Sequence, residues 1–530
     1  MNSKNQNLEN MKTSLKDEFC VWSEVGGTVL ENELSEEYIL PDYLPDIRKI
    51  LLVKTKAEED DIFTEDGRAE IGGRVVFNVI YLGDTGEIKC VNQSYTYSNF
   101  TNSDNIYDES IIDIQTSLKN RSVRALSPRK LMMKVKVVSS VSVRNKVCVS
   151  PRLIGTTSVE DEFTLERKIN EIECVNFIQF NESDIRVSED IDYKGQKPIG
   201  DLIAHDADVI PTECKYNDGK LYIKGVARVW CLISEASEDE NKKYEVIERN
   251  IPITHTSDVS LPNGEWNCYM QLDMGDFECS VANDSYGESR VIEVDLVCRA
   301  KIKAISNENS VFTDDVFSTA YEYANTYKRV NTERLLKTSC ANFSVSGSGE
   351  IPKTEGASFD RVILSSVDVD MASVDVSQGK AVFNGECNVK AVVSDKDGSY
   401  VNTEFSFPVR YEMPIGDVEK YRCRCDGTVL DSRVSLDDNK LNVNAEIGIN
   451  YELFENVSAD TVEVVAINKS QPLQNVNEKV MVLYYPDKNE TLWSVAKKYN
   501  VSRASLENVN NKQLSEGLPR VIVIPTHLNT

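Results

Sequence analysis

Three histidines in 530 residues leave little material for the commonest metal and acid–base sites. His205, His255 and His527 lie far apart in sequence, so neither a zinc ligand set nor a Ser-His-Asp triad forms from neighbours. Each is expected to be structural or superficial, with no catalytic residue, no cofactor and no metal. No P-loop is present, and Gly347-Ser348-Gly349 lacks the third glycine of a dinucleotide loop. No apolar run approaches the ~18 residues of a membrane span, and Met1 to Glu18 has no apolar core of the kind a secretory signal needs. Basic charge is also short: 59 Lys+Arg stand against 86 Asp+Glu, a net −27. Such a surface repels phosphate backbones and anionic headgroups, which argues against nucleic acid and membrane insertion. None of the 13 cysteines forms a C-x-x-C pair, and Cys231, Cys298 and Cys387 sit inside apolar strand patterns. Reduced thiols in a cytoplasmic protein are therefore expected. Cys423-x-Cys425, the nearest pair, reads as two strand cysteines facing one way.

What is present is a repeat. Asp-x-Phe followed by a small residue opens three stretches, at Asp17-Glu18-Phe19-Cys20, Asp161-Glu162-Phe163-Thr164 and Asp315-Val316-Phe317-Ser318. Further in, a second motif recurs: Gly67 to Gly73, Gly219 to Gly225 and Gly379 to Gly385, each a glycine, a basic residue, a short strand and a second glycine. The first glycine follows Asp66, Asp218 or Gln378, the chemistry of a tight hairpin turn with positive φ. The second glycine, within a strand, marks a bulge or a close backbone approach. Apolar alternation follows each time: Val75, Phe77, Val79 and Tyr81; Ala227, Val229, Cys231 and Ile233; Cys387, Val389, Ala391 and Val393. Period-two alternation predicts half-buried strands, so the fold class is mainly β. Three tandem antiparallel β-sandwich-like modules are expected at 1–160 (with a polar tail at 1–15), 161–314 and 315–467.

Residues 468–479 turn polar and read as a linker. In 480–526 the pattern changes. Val480 to Tyr485 reads as a strand, and Leu492, Val495, Ala496 and Tyr499 form one helix face, capped by Asn489 or Thr491. A second helix starts at Ser502, with Val501 and Leu506 at the staple positions, and Val521 to Ile524 closes a βααβ unit. The stretch Asn489 to Val501, with Ile524-Pro525 at the close, resembles a LysM domain. That family binds N-acetylglucosamine polymers such as peptidoglycan through two loops, here Asp487 to Thr491 and Asn510 to Leu518. The resemblance places binding residues at Asp487, Lys488, Asn489, Glu490, Thr491, Trp493, Asn510 and Asn511. Both loops depart from the family: Asn489-Glu490 replaces Gly-Asp, and Leu518-Pro519-Arg520 replaces Pro-Gly-Gln.

Ile39 to Leu51, with its Leu40-Pro41-Asp42-Tyr43-Leu44-Pro45-Asp46 core, and the glycine hairpins resemble the SPOCS family of sporulation proteins. Three such modules plus a LysM is the architecture of a spore-coat morphogenetic scaffold of clostridial spore formers. The resemblance implies a non-enzymatic role in the mother cell, concentrated at the forespore surface. Its implied partner is the coat-basement ATPase, stage IV sporulation protein A, with other coat proteins or a second copy as further partners. The altered loops and cytoplasmic setting make the LysM a protein-docking end in this reading; peptidoglycan binding is the alternative. Lys119, Arg121, Arg124, Arg129, Lys130, Lys134 and Lys136 form a basic stretch free of acids, read as solvated β-surface with a docking face as the other reading. The acidic loop Glu58 to Asp61, with its Asp60-Asp61 pair, reads as a solvated surface.

Overall fold

A computed structural model describes residues 18–60, 62–65, 67–155, 164–237, 243–352, 359–395, 398–416, 420–473, 482–510 and 518–525. Among these, helix is confined to two short segments, and the fold is mainly β with several antiparallel sheets. The chain runs β1 (Phe19–Ile39), β2 (Ile47–Glu59), β3 (Phe63–Glu65), β4 (Arg68–Gly83), β5 (Ile88–Asn102), β6 (Ile111–Ser127) and β7 (Lys130–Val149). The short β8 (Arg152–Ile154) leads to β9 (Leu165–Asp192), β10 (Ile199–Asn217), β11 (Lys220–Glu235), β12 (Tyr244–Asp258), β13 (Asn267–Asn283) and β14 (Ser289–Ser318). Then come β15 (Tyr321–Glu350), β16 (Phe359–Ser377), β17 (Lys380–Asp395), β18 (Tyr400–Pro414), β19 (Tyr421–Asp437) and β20 (Lys440–Pro472). Last are β21 (Val482–Tyr484), helix α1 (Leu492–Tyr499), helix α2 (Arg503–Val509) and β22 (Ile522–Ile524).

One pairing rule holds three times. Three middle strands form a meander (β2-β4-β5, with the short β3 also on β4; β10-β11-β12; β16-β17-β18), while the first strand joins the last two (β1-β7-β6, β9-β14-β13, β15-β20-β19). Each pair of sheets shares an apolar core. Val75, Phe77, Val79 and Tyr81 meet Leu131, Met133, Val135 and Val137; Ala227, Val229 and Cys231 meet Val294, Leu296 and Cys298; Phe383, Cys387 and Val389 meet Val443, Ala445 and Ile447. The alternation read from sequence thus points inward in each copy.

Glycine positions explain why the hairpins recur. Gly67, Gly219 and Gly379 have φ of 78°, 79° and 71°, and Asp218 and Gln378 before them are also positive, the geometry of type I′ turns. Asp66 lies outside the described residues. The second glycines are sites of close approach. A Cβ on Gly225 would stand 2.8 Å from the Ile210 carbonyl, and one on Gly385 2.7 Å from that of Asp370; on Gly73 it would run into the Glu58 carbonyl. The register shifts beside the partners of Gly225 and Gly385, at Pro211/Glu213 and Met371/Ser373, so the bulge lies on the strand opposite.

The Leu40 to Asp46 motif owes its shape to Arg129. Its guanidinium donates to the carbonyls of Pro41 (2.8 Å), Leu40 (3.2 Å) and Leu44 (3.3 Å) and to the Asp46 carboxylate (2.7 Å). One planar fork therefore satisfies the carbonyls of an irregular loop whose Tyr43 side chain points to solvent.

The three two-sheet units also meet one another. Leu51, Leu52, Ile80 and Ile88 of the first pack with Trp230, Leu232 and Tyr244 of the second and Ile363, Leu364 and Val392 of the third. A second meeting point joins Ile111, Val175, Phe177, Ile305, Leu335 and Phe454. Beside it lies a buried charge cluster. Asp113 pairs with Arg144, with Lys303 (2.8 Å) and with Arg424 (3.5 Å); Lys303 also reaches Glu452 (3.1 Å), and Arg144 reaches Glu333 (3.2 Å). These members occupy matching register positions: Asp113 faces Ser142, Tyr269 faces Lys303, and Arg424 faces Glu452. Burial raises the Asp113 pKa, and the cations Lys303, Arg144 and Arg424 more than offset that, holding it well below the carboxylate range.

Three expectations need correction or comment. Cys20 and Cys148 are not free thiols but a disulfide: they face each other directly in the β1–β7 register, with Cα atoms 4.1 Å apart. Nothing in either residue's local sequence reports a partner 128 positions away. Glu58 and Glu59 do not sit in a loop but end β2; Glu58 pairs with Arg74, and burial raises the Glu59 pKa. Asp61 lies outside the described residues. Finally, β20 continues to Pro472, through the first part of the stretch read as a linker, and 474–481 lie outside the described residues.

Candidate functional site

The C-terminal unit is small, and its local chemistry is legible. Thr491 caps α1 in a reciprocal box: the Ser494 N–H donates to Thr491 Oγ1 (3.2 Å) and the Thr491 N–H to Ser494 Oγ (2.9 Å). Ser502 caps α2, and the flanking Val501 and Leu506 are buried. β21 and β22 pair antiparallel, Leu483 opposite Val523; Val480 and Met481 lie outside the described residues.

Several residues expected to bind a ligand instead hold the unit together. Glu490 accepts from the Tyr484 hydroxyl (2.8 Å) and the Asp487 N–H (2.9 Å), and that backbone bond, followed by the Tyr484 bond, lowers its pKa. Asn510 donates to the carbonyls of Leu506 and Val523 (both 2.8 Å) and accepts from the Val523 N–H (2.9 Å), tying α2 to β22. Asp487, Lys488 and Asn489 are exposed, and Asn511 lies outside the described residues.

Trp493 faces the rest of the chain. Its Nε1–H donates to Asp315 Oδ2 (2.9 Å), and its ring meets that of Phe317 edge to face, centroids 4.9 Å apart. One helical turn on, Lys497 donates to both Asp315 oxygens (2.8 and 2.6 Å). The Tyr327 hydroxyl is a further donor to Asp315 (2.8 Å). Burial raises the Asp315 pKa, and the donors Lys497, Trp493 and Tyr327 outweigh it, so the net shift is downward. Phe317 is fully buried among Val495, Ala496, Val501, Leu506, Ile522 and Ile524, so a residue of β14 completes the core of the small unit. The neighbouring strand contributes Glu166, whose carboxylate accepts from the Arg503 N–H at the start of α2.

Asp315 and Phe317 belong to the third copy of the repeated Asp-x-Phe motif, so the motif closes β14 and seats the C-terminal unit. Sequence reasoning found the motif but gave it no role. In the first copy, Phe19 packs against Phe312 (5.3 Å), while Asp17 and Asp161 to Phe163 lie outside the described residues.

The other flagged residues disperse. His205 lies against Phe277, and burial lowers its pKa; His255 reaches Glu182 (3.5 Å); His527 lies outside the described residues. Within the basic stretch, Lys130 pairs with Glu37, Lys136 with Glu31 (2.8 Å) and Arg121 with Asp370 (3.9 Å), and Arg129 clasps its loop. Lys119, Arg124 and Lys134 are exposed. A cavity of about 500 Å³ lies where the three two-sheet units meet, lined by Glu59, Gln115, Tyr269, Arg424, Asp426 and Asn450 among others. Much of its polar lining is already paired internally: Gln115 donates to Asp426 (2.9 Å), as does Tyr269 (2.5 Å), and Asn450 donates to the Met270 carbonyl (3.2 Å).

Residues 46–126 match the family model described as SipL, SPOCS domain. The matched stretch takes in β2 to β5 and nearly all of β6, without the β1 and β7 strands that complete the first unit. It supports a SipL-type, sporulation-related protein. No curated protein and no solved structure matches the chain. No helix among the described residues is long and apolar enough to cross a membrane.

Proposed function

We propose that the chain is a non-enzymatic scaffold of spore-coat assembly in the mother cell, linking the coat-basement ATPase (stage IV sporulation protein A) at the forespore surface to coat proteins. The match of residues 46–126 to the SipL, SPOCS family carries this reading. The pairing rule that recurs three times supports three SPOCS-like modules rather than one. The β-α-α-β order of the described residues between 482 and 524 supports a LysM unit at the end.

In this reading the LysM is a protein-docking module. Two observations favour protein over glycan. Asn510 is committed to internal hydrogen bonds, and the Trp493 ring already packs against Phe317. Tandem units joined to a docking end raise avidity through effective concentration, without any new contact.

The test is co-purification with the ATPase from sporulating cells, comparing the full chain with one ending at Leu473, which keeps β20 whole. Loss of co-purification is expected on truncation; undiminished co-purification would refute the docking role. Retention of the full chain on purified cortex peptidoglycan, lost on truncation, would instead establish glycan binding.

A further inference from the structure

The contact between the C-terminal unit and β14 has the geometry of motif recognition. Residues two apart on a strand share a face about 6.4–6.8 Å apart, and residues four apart on a helix share a face about 5–6 Å apart. Asp315 and Phe317 therefore present a carboxylate and a ring on one strand face, where Lys497 and Trp493 from one face of α1 reach them. The chemistry is matched in kind. The carboxylate takes a charge-assisted pair from Lys497 and the indole N–H, and the phenyl ring takes the edge-to-face contact. Phe317 also fills a pocket among core residues of the unit, which would stand open without it. Val316 points the other way, into Val462, Val465 and Ile467, so the middle position of the motif is not read by α1.

We propose that the α1 face of the C-terminal unit is a recognition site for extended Asp-x-Phe segments, occupied in this chain by its own Asp315-Val316-Phe317. An external partner bearing such a segment binds by displacing the internal copy. This rests on the reading of the unit as a protein-docking module and names the chemistry it reads. Only eight residues, 474–481, separate β20 and the following Leu473 from β21. The tethered internal copy therefore acts at an effective concentration in the millimolar range, and free segments compete poorly until it is released. The same sequence pattern stands at 17–19 and 161–163, so the ligand chemistry is available elsewhere in this chain and in a second copy of it.

The experiment uses the full chain and a fluorescein-labelled peptide with the sequence of residues 312–320. The D315A/F317A variant vacates the face. Its Lys497 should become several-fold more reactive toward an acetylating reagent relative to Lys498, whose partners Tyr484 and Glu490 lie within the unit. The peptide should then bind this variant at least tenfold more tightly than the wild-type chain. Replacing Asp by Asn or Phe by Ala in the peptide, or adding W493A to the chain, should weaken that binding at least tenfold. If D315A/F317A loses its cooperative thermal transition, the isosteric D315N is measured by the same two readouts. Unchanged Lys497 reactivity would overturn the proposal, because the motif would not be what covers the face. Raised reactivity without tighter peptide binding would overturn it as well. A chain that fails to bind peptide yet still co-purifies with the coat ATPase would refute this site and leave the docking reading intact.

Discussion

Replacing Asp113 by asparagine keeps the side chain's shape and removes one charge from the cluster at the junction of the three two-sheet units. Arg144, Lys303 and Arg424 converge on Asp113, with Glu452 beside Lys303 and with Glu333 shared by Arg144 and Arg422 (3.3 Å); Asp113, Arg144, Lys303, Glu333 and Glu452 are each below a tenth of full exposure. D113N takes from Arg144, Lys303 and Arg424 the one carboxylate they share. A buried charge deprived of its partner costs about 3–5 kcal/mol, far above the ~0–1 kcal/mol of a surface pair. For units of about 150 residues, each kcal/mol moves the midpoint by ~2–4 °C, so a fall of roughly 6–20 °C is expected. The assay is thermal unfolding followed by circular dichroism and by tryptophan emission. Trp22 is a local reporter, since it packs edge-on to Phe177 beside the cluster. Adding R144M to D113N removes the cation left without Asp113, while Glu333 keeps Arg422, and should recover part of the loss, whereas two independent defects would add. A D113N shift equivalent to less than about 1 kcal/mol, at the surface-pair scale, would refute the claim that this cluster is desolvated and coupled. The pH dependence has a definite sign. The folded pKa of Asp113 is depressed, so its contribution is present above the unfolded value of about 3.9 and is lost only as pH falls through the lower folded value.

Three further outcomes follow from the geometry. Alkylation of denatured, unreduced protein should modify 11 thiols and reduced protein 13, the difference being Cys20 and Cys148; C148S should cost about 4–5 kcal/mol on loop-closure grounds, measured by urea titration. G225A and G385A should each cost about 1–3 kcal/mol because the new Cβ meets a backbone carbonyl, while G26A, whose Cβ meets nothing within 4 Å, should stay near neutral. Asp315 also has a depressed pKa, so the seat of the C-terminal unit should persist from pH 7 to pH 5 and release only below about pH 4; hydrogen exchange of α1 reads this directly, and release near pH 6 would contradict it.

The strands were the most legible part of the fold, because alternation at Val75 to Tyr81 and its two counterparts reports a single buried face. Legibility failed where strands have two buried faces. Ile302 to Ser306 and Tyr451 to Phe454 are buried without a break, since each lies against its own core on one side and a neighbouring unit on the other. A window of sequence carries no signal for which unit that neighbour is, and none for the Cys20–Cys148 pairing. The candidate site was half legible. Its helices, caps and tryptophan could be read locally, and Asp-x-Phe was visible as a repeat. The meeting of Trp493 with Asp315 spans 178 residues and depends on how the units stack. The glycan-loop pattern likewise pointed to Asn510, whose role as a brace appears only once β22 is beside it.

The three-way charge cluster also makes the three copies non-interchangeable at this point. At one matched register position the copies carry Asp113, Tyr269 and Arg424, and at the facing position Ser142, Lys303 and Glu452. Duplicating the third copy into the first place would set two arginines and two glutamates around a single lysine at these positions and remove Asp113, on which the cations converge. Exchange between the gene's own repeats would thus bring like charges together in a buried place, which costs stability. Selection against such exchanges would let the copies drift apart in sequence while the hairpin glycines, needed alike in each, stayed in place.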